Sequence, residues 1–341
     1  MQLILLFSLF ATVFCQVNVN LRGGTSDLIF NNHSFHWNKF IDFQDRFNKH
    51  YSSLEELEIR FDIFRENFIN ILIHNADASQ NFTMGINQFT DLTPEEFKAQ
   101  YISGLKTDIY SYGCQTFSSS ASGAPSSIDW ITKGAVTSVK DQGQCGSCWT
   151  FSATGAVEGA WAISKGQLLD LSEQELVDCA TGIVYGSHGC SGGQMEGAFK
   201  YIISNGQCAL SSYQYTAKDG SCKTCSAVAH ISSCWDVKPN DQISLKAAVA
   251  KQPVAIAISA DTKLFQSYSS GVITSESCYT SLDHGVLIVG YGTENGQDYW
   301  LVKNSWGTTW GMGGYVKIAK SSSTNDPGIC GIAKQPSFPS V

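Results

Sequence analysis

The pattern of apolar and polar positions divides the chain into a helical first part and a second part in which helices precede strands. Six residues of the first part share one face of a helix, because side chains three and four positions apart are neighbours there. They are Glu56, Arg60, Phe64, Asn67, Ile71 and Asn75. Thr93, Pro94 and Glu96 predict another helix start with a capping box. An all-α segment is therefore expected from Trp37 to Lys106.

The second part follows residues 113–127, which are rich in Ser, Ala and Gly and lack periodicity, as is typical of an exposed linker. Three helices are predicted after it, over about 148–164, from a capping box at Ser172, and over about 193–204. Val254–Ile258 and residues 286–289 are β-rich apolar runs, and residues 294–297 predict a hairpin turn. Two unlike halves leave a cleft between them, which is a common place for a site.

The first fifteen residues contain an apolar run that is too short to span a bilayer and suits a signal peptide cleaved near Cys15. The alternative is a buried first helix. No later segment offers about 18 uninterrupted apolar residues, so a soluble mature protein with no membrane partner is expected. A secretory route makes disulfides the default state of most of the 12 cysteines.

Charge and cysteine spacing narrow the function classes. The net charge of −8 argues against nucleic-acid binding, whose proteins are usually basic. Two Cys-x-x-Cys pairs begin at Cys145 and Cys222, and three interpretations compete for them: a zinc site, a redox pair and a catalytic thiol. The pairs lie much farther apart than in structural zinc sites, and no βαβ setting supports a redox fold.

A catalytic thiol is favoured at Cys148. Gly143 and Gly146 allow a tight loop that places Cys148 at a helix N-terminus, where the dipole stabilises a thiolate. A cationic partner is still needed, and His284 precedes a buried strand. Asn304 follows the next strand and can orient the imidazole.

These residues resemble the papain-like cysteine peptidases of the cathepsin L-like branch. The run from Cys145 to Trp149 matches the signature around the nucleophile of papain and the cathepsins, and His284 follows Cys148 by 136 residues, within the family range. Further stretches resemble the family at 127–130, 134–137, 171–179, 189–193 and 315–318. The helical face from Glu56 to Asn75 resembles the family's interspersed propeptide motif, and its companion motif is matched by Gly85, Asn87, Phe89 and Asp91.

The resemblance implies an α+β, papain-like fold of two domains. A helical left domain (about 133–240) and an antiparallel β-barrel right domain (about 241–335) would enclose the active-site cleft, preceded by an all-α propeptide. The expected boundaries are a signal peptide over 1–15, an inhibitory propeptide over 16–123 and a peptidase domain over 124–341.

The resemblance also implies residue roles. Cys148 would attack as a thiolate, His284 would act as its imidazolium partner, and Asn304 would orient His284. The Gln142 side chain and the Cys148 backbone N–H would form the oxyanion hole. The implied substrate-binding residues are Gly192, Gly193, Gln194, Met195, Ala257, Leu282, Asp283, Gly285, Trp306, Trp310 and Gln335. Any one of the pocket residues could instead serve only to pack the core.

An endopeptidase made as an inactive zymogen is therefore expected, with activation by propeptide removal at acidic pH. A hydrophobic residue is expected second from the scissile bond, and no metal or cofactor is needed. The alternatives are a non-catalytic binding protein on the same fold, and an exopeptidase or transferase with Cys–His chemistry.

The expected partners are protein and peptide substrates, the chain's own propeptide as inhibitor, and cystatin-like inhibitors. The propeptide would run from Leu105 to Ser122 through the cleft, and acid would weaken its hold by protonating paired carboxylates such as Asp91. A monomer is expected in a lysosome, a digestive vacuole or outside the cell. Asn32 and Asn81 are candidate glycosylation sites.

The resemblance implies three disulfides, which are Cys145–Cys190, Cys179–Cys222 and Cys278–Cys330. Of the remaining mature cysteines, we expect Cys208 to pair with Cys225 and Cys234 to stay buried and reduced. The rival arrangement is a Cys114–Cys234 bond that ties the propeptide to the body.

Overall fold

The computed structural model describes residues 32–102, 104–106, 113–274 and 278–341. The predicted signal peptide lies outside these residues. Within these ranges, no helix combines the length and the apolar character that crossing a bilayer requires.

The expected propeptide folds around two helices that pack together, α1 (His33–Phe47) and α2 (Leu54–Ala76). The side chain of Asn32 caps the first and that of Ser53 caps the second, each accepting from a backbone N–H in the first turn. The two helices bury an aromatic cluster made of Phe40, Phe43, Phe61, Phe64 and Phe68. On α2, the predicted face is the one that packs, with Phe64, Asn67 and Ile71 buried.

The predicted capping box at Thr93 is present and opens a short helix, α3 (Pro94–Phe97), which continues as a π-helical turn over Lys98–Ile102. This turn leads the chain toward the body, which is the second part of the molecule after the linker. The propeptide is not purely helical, since it also contributes the short strand β1 (Phe82–Met84) to the main sheet.

The first three helices of the body are those that the sequence predicts, and each predicted bound agrees within two residues. They are α4 (Cys148–Lys165), α5 (Glu173–Cys179) and α6 (Met195–Asn205). Two further helices follow, α7 (Gln242–Val249) and α8 (Lys263–Gln266). Gly166 ends α4 in the left-handed conformation, which a glycine adopts without steric cost. Short 3₁₀ turns lie at Gly189–Ser191 and Ile329–Gly331.

The strands after β1 follow in chain order. They are β2 (Gln115–Phe117), β3 (Ile128–Asp129), β4 (Gln207–Cys208), β5 (Ala227–Ala229), β6 (Ser233–Val237), β7 (Val254–Ile258), β8 (Tyr268–Ile273), β9 (His284–Glu294), β10 (Gln297–Lys303), β11 (Tyr315–Ala319) and β12 (Ser337–Ser340). In the described residues the main sheet has the order β1-β8-β11-β10-β9-β7-β12-β6-β2, β3 pairs with β9, and β4–β5 stand apart.

Most neighbours in the main sheet are antiparallel, and β8–β11 and β2–β6 are parallel. The predicted hairpin joins β9 to β10 through Asn295 and Gly296, both with positive φ, as a two-residue turn of this kind requires. Both ends of the strand order, β1 and β2, come from residues before the peptidase boundary expected at 124.

Two apolar cores flank the start of α4. One lies among the strands of the β half, and the other lies between α4, α6 and the inner face of β7 and β9. Where the two cores meet, α4 packs against β9. The expected cleft between the two halves therefore lies at the starts of α4 and β9, where Cys148 and His284 are found.

Five disulfides join the described cysteines: Cys145–Cys190, Cys179–Cys222, Cys208–Cys225, Cys278–Cys330 and Cys114–Cys234. The expectation that Cys234 is a reduced thiol is wrong. Cys114 reaches it because β2 lies beside β6, a pairing that no local pattern in the linker announces.

Candidate active site

Cys148 is the first residue of α4 and is fully buried, and it is the free cysteine of the described chain. The loop before it is held by the Cys145–Cys190 disulfide and by a hydrogen bond of 2.9 Å from Gly146 N to the Cys190 carbonyl. Gly146 has no room for a side chain, because a Cβ would lie 2.4 Å from that carbonyl oxygen. The fold thus holds a thiol at a helix N-terminus, where the helix dipole favours negative charge.

His284 is the first residue of β9 and lies beside this thiol, since the next residue, Gly285, donates its N–H to Cys148 Sγ at 3.3 Å. His284 Nε2 is 2.8 Å from Asn304 Oδ1, and Nδ1 has no hydrogen-bond partner among the described residues. Because Asn304 Oδ1 can only accept, Nε2 carries the proton of this bond. Nδ1 is therefore the nitrogen available to exchange a proton with the thiol.

The bond between His284 and Asn304 is covered by an aromatic wall. Trp306 stacks on the imidazole, with ring centroids 4.6 Å apart and an interplanar angle of 26°. Trp310 packs edge-on against Trp306. On its other sides Trp306 meets Phe89 and Phe97 of the propeptide, which complete its burial. Water is therefore excluded from the bond that orients the histidine.

Gln142 is oriented by two contacts from separate parts of the chain. Ser305 Oγ donates to Gln142 Oε1 at 2.7 Å, and Gln142 Nε2 donates to the Cys145 carbonyl at 3.0 Å. The same Nε2 is 3.3 Å from the carbonyl oxygen of Tyr101 in the propeptide. The propeptide thus supplies a carbonyl oxygen as acceptor for Gln142 Nε2, the donor that the sequence assigns to the oxyanion hole.

The propeptide passes through the cleft over Gly104–Lys106. Gly193 N donates to the Gly104 carbonyl and Lys106 N donates to the Gly193 carbonyl, both at 3.0 Å, so Leu105 pairs with Gly193 in a parallel bridge. A Cβ on Gly104 would lie 2.8 Å from Cys148 Sγ. The contact that the sequence assigned to Gly193 with substrate is thus made here with the propeptide backbone.

The prediction that Leu105–Ser122 passes through the cleft needs correction after Lys106. Residues 107–112 lie outside the described ranges, and Gln115–Phe117 pairs with β6 at the sheet edge.

Burial sets the protonation of the pair in this closed state. It raises the pKa of the Cys148 thiol to about 12, and Asp283 nearby acts in the same direction. It lowers the pKa of His284 to about 4, partly opposed by the hydrogen bond to Asn304. Burial therefore favours the neutral form of both groups in this closed state. Uncovering the site removes part of the desolvation cost of charge.

The residues assigned to the substrate pocket lie around one apolar surface. Met195 and Ala257 are fully buried in the same core cluster, and Leu282 packs against that cluster from its partly exposed side. Ala257 is paired with Gly285 across β7 and β9. Leu105 of the propeptide packs against the same cluster, so an apolar propeptide side chain occupies this side of the cleft.

The remaining assigned residues lie at the margins of this surface. Gln194 precedes α6, and Gly192 has φ +105, a conformation that favours glycine. The Asp283 carboxylate accepts from the Ala260 N–H at 2.7 Å, and burial raises its pKa to about 6. Gln335 Nε2 points at the Glu196 carboxylate, at 3.2 and 3.3 Å.

Sequence reasoning missed three residues of the site. They are Ser305, which holds Gln142, Glu196, whose buried carboxylate lies against Gln335, and Tyr215, which contacts the loop before Cys148. Ser305 could have been noticed, because it follows Asn304 directly. Glu196 and Tyr215 come from distant segments, and a single glutamate or tyrosine in a sequence does not by itself indicate a site.

The zinc and redox interpretations of the two Cys-x-x-Cys pairs are both wrong. Cys145 is bonded to Cys190, and Cys222 and Cys225 are bonded to Cys179 and Cys208. No thiolate of the second pair is left for a metal or for disulfide exchange.

Two family profiles match the chain. Residues 124–340 match the family described as "Papain family cysteine protease". Residues 40–97 match the "Cathepsin propeptide inhibitor domain (I29)". The two profiles cover the body and most of the expected propeptide, and the cleft-filling residues 104–106 lie between the two matches.

Individual relatives agree with the profiles. The chain is 46% identical over 306 residues to the probable cysteine protease RDL2 of Arabidopsis thaliana, covering 85% of this chain and 82% of that protein. It superimposes on recombinant stem bromelain precursor with a TM-score of 0.83 and 41% identity, covering 90% of this chain and 99% of that one. Digestive procathepsin L 3 of Tenebrio molitor gives a TM-score of 0.81, 40% identity and the same two coverages.

Proposed function

The chain belongs to the papain family of cysteine proteases, and from that premise we propose the roles of its catalytic residues. It is the zymogen of a cysteine endopeptidase, and its substrates are proteins. Cys148 is the nucleophile and His284 the acid–base partner, with Asn304 orienting the imidazole. Gln142 Nε2 and the Cys148 N–H form the oxyanion hole. The observation that carries this proposal is the contact of Cys148 with the strand of His284, whose Nε2 is held by Asn304.

The proposed reaction has two halves. The Cys148 thiolate attacks the scissile carbonyl carbon, and the resulting oxyanion accepts hydrogen bonds from Gln142 and the Cys148 N–H. His284 gives its Nδ1 proton to the leaving amine, which leaves a thioester. Water then gives a proton to His284 and attacks the thioester, which releases the acid product and restores the thiolate.

The roles of the pair are tested by replacement and by labelling. Cys148→Ala should abolish hydrolysis of a peptide reporter, and full activity in that variant would contradict the proposal. A bromelain protease from Ananas comosus is described in complex with the E64 inhibitor. We expect E64 to modify Cys148 alone in the activated enzyme, as read by peptide mass.

The preference for a hydrophobic residue second from the scissile bond is supported by the packing of Leu105 against the apolar cluster that contains Met195 and Ala257. Gln335 carries no charge, so selection for arginine is not expected. Dipeptidyl reporters that differ only in leucine or arginine at this position test the preference. An equal kcat/KM for both would contradict it.

Acid activation is supported by ion pairs within the propeptide and between the propeptide and the body. Lys49 lies 2.9 Å from the Asp91 carboxylate, which is nearly buried, and Lys98 reaches across to Asp261 of the body. The hydrogen bond from Arg60 lowers the pKa of Glu96. A carboxyl with a lowered pKa stabilises the fold at neutral pH, and this stabilisation is lost as pH falls through the lowered pKa.

Glu96→Gln imitates protonation of this carboxyl and tests acid activation. The variant precursor should process itself at a higher pH than the wild type, whereas the exposed control Glu58→Gln should not. An unchanged pH of processing in Glu96→Gln would contradict this route.

The compartment and partners are proposed more broadly. Five disulfides in the described residues are typical of the secretory pathway, and a lysosome, a digestive vacuole or the extracellular space would suit the enzyme. Cystatin-like inhibitors and a monomeric state are proposed. Glycans are proposed at Asn32 and Asn81, and deglycosylation followed by intact mass of the precursor tests both sites.

A further inference from the structure

The segment around Cys114 belongs structurally to the body, although it precedes the family match that begins at residue 124. Cys114 is bonded to Cys234 of β6. The next three residues form β2, in parallel register with β6 from Gln115 opposite Trp235 to Phe117 opposite Val237. A covalent bond and a strand pairing therefore act on the same short segment.

Contacts beyond the strand extend this attachment. Lys238 N donates to the Phe117 carbonyl at 2.9 Å, and the Phe117 ring packs edge-on against Phe338 with centroids 5.2 Å apart. Ser119 N donates to Ser244 Oγ at 3.0 Å, and that hydroxyl contacts the Ser119 carbonyl at 3.2 Å. The segment from Cys114 to Ser119 thus adds a strand and a capped end to the sheet.

The inhibitory contacts lie elsewhere. Within the described residues, the cleft is filled by Gly104–Lys106, which is joined to the body only by non-covalent contacts. The chain before Cys114 therefore inhibits, whereas the chain after it contributes to the sheet.

We propose that residues 114–119 remain part of the active enzyme, bonded through Cys114 to Cys234 and covering the edge of β6. This deepens the zymogen function and corrects the propeptide boundary expected at 123. An uncovered edge would expose unpaired backbone groups, which favour association with other chains.

The position of the activating cut then decides whether inhibition ends. A cut in the exposed stretch 120–123 alone would leave the inhibitor tethered through the disulfide, at an effective concentration on the order of millimolar. Release in an oxidising compartment therefore needs a cut on the N-terminal side of Cys114.

Intact mass of the acid-activated enzyme tests the proposal. The full precursor is activated without reductant, free thiols are blocked, and the non-reduced protein is mapped. A peptide containing Cys114 linked to one containing Cys234 is expected. An active enzyme that lacks Cys114 and carries a blocked Cys234 thiol would overturn the proposal. The measurement reads covalent composition, so it does not depend on the roles of the catalytic residues.

A directed cut tests the tether itself. A recognition sequence for a specific protease is placed at Ser122 and cleaved at neutral pH, and reporter hydrolysis is followed after dilution to nanomolar concentration. The parent should stay inhibited, whereas the double variant Cys114→Ser with Cys234→Ser should gain at least tenfold in activity. Removing the Cys208–Cys225 pair is the matched control. Equal release on dilution in parent and variant would overturn the tether.

A second, independent observation concerns the loop that carries the oxyanion donors. The Tyr215 hydroxyl donates to the Gln142 carbonyl at 2.8 Å and lies 2.6 Å from Ser147 Oγ. It thereby bridges the two ends of the loop, next to the Gln142 side chain and the Cys148 N–H. The ring is held edge-on against Phe151 of α4, and burial raises the pKa of the phenol.

We infer that Tyr215 is a positioning residue for the oxyanion hole, which rests on the role proposed for Gln142. Tyr215→Phe keeps the ring but removes both hydrogen bonds, so kcat should fall roughly tenfold with KM unchanged. Tyr213→Phe is the matched control, because its hydroxyl binds Asp178 instead. Gln142→Ala is measured in parallel.

The outcomes separate the two claims. A fall in kcat for Gln142→Ala but not for Tyr215→Phe would overturn the inference about Tyr215. No fall in kcat for Gln142→Ala would instead contradict the proposed oxyanion hole. An equal fall in Tyr213→Phe would show a general loss of packing and would also overturn the positioning role.

Discussion

Replacing Gly104 by alanine should open the zymogen without touching the enzyme body. A Cβ at this position would lie 2.6 Å from the Gly146 carbonyl oxygen and 2.8 Å from Cys148 Sγ, so the segment must move away. Two hydrogen bonds with Gly193 would be lost, each contributing about 1 kcal/mol. Leu105 would leave its apolar contacts, which costs about 1.5–3 kcal/mol.

The total of about 3.5–5 kcal/mol corresponds to a population with an open cleft that is roughly 300- to 4,000-fold larger, at about 1.4 kcal/mol per factor of ten. The assay is the rate at which iodoacetamide alkylates Cys148 in the intact precursor at neutral pH, read by mass before processing begins. Glu58→Ala, on the exposed face of α2, is the control. A Gly104→Ala precursor that is alkylated at the wild-type rate would refute the reasoning.

Two further predictions concern the body. Asn304→Ala should leave weak activity, because His284 keeps its chemistry but loses the bond that orients it; wild-type kcat would show that Trp306 alone holds the ring. Burial raises the pKa of Glu196 to about 7, so the folded state holds a proton that the unfolded chain releases, and this stability is lost as pH rises through about 7. The Cys148→Ala precursor should therefore gain thermal stability from pH 8 to pH 6, and adding Glu196→Gln should reduce that gain by roughly 1 kcal/mol. Equal gains with and without Glu196→Gln, followed by calorimetry, would contradict this.

Local chemistry along the chain was enough to predict several helices, the regions of strands β7, β9 and β10, and the central residues of the site. Helix starts at Thr93 and Ser172 follow from side chains that bind backbone groups within the same turn. The hairpin at Asn295 and Gly296 follows from residues that accept positive φ.

Cys148 and His284 could be predicted for a related reason. Cys148 is the first residue of α4 and His284 is the first residue of β9. The apolar pattern that predicts each element therefore also predicts which end of it carries the reactive group.

Only the tertiary structure decided contacts between segments that are far apart in sequence. Ser305 orients Gln142 across 163 residues, and Tyr215 reaches the same loop from another segment. Burial to which the propeptide contributes also raises the pKa of the Cys148 thiol, and the sequence motif for a thiolate could not reveal this.

The bond between Cys114 and Cys234 shows the same limit most clearly. Its partners are separated by 120 residues, and the strand that joins them has three residues, too few for a periodic pattern. The sequence by itself determined that a protease precursor would fold around Cys148 and His284. The sheet edge on which Cys114 comes to lie is a property of long-range packing, because a disulfide forms only where the folded backbones bring two cysteines within bonding distance.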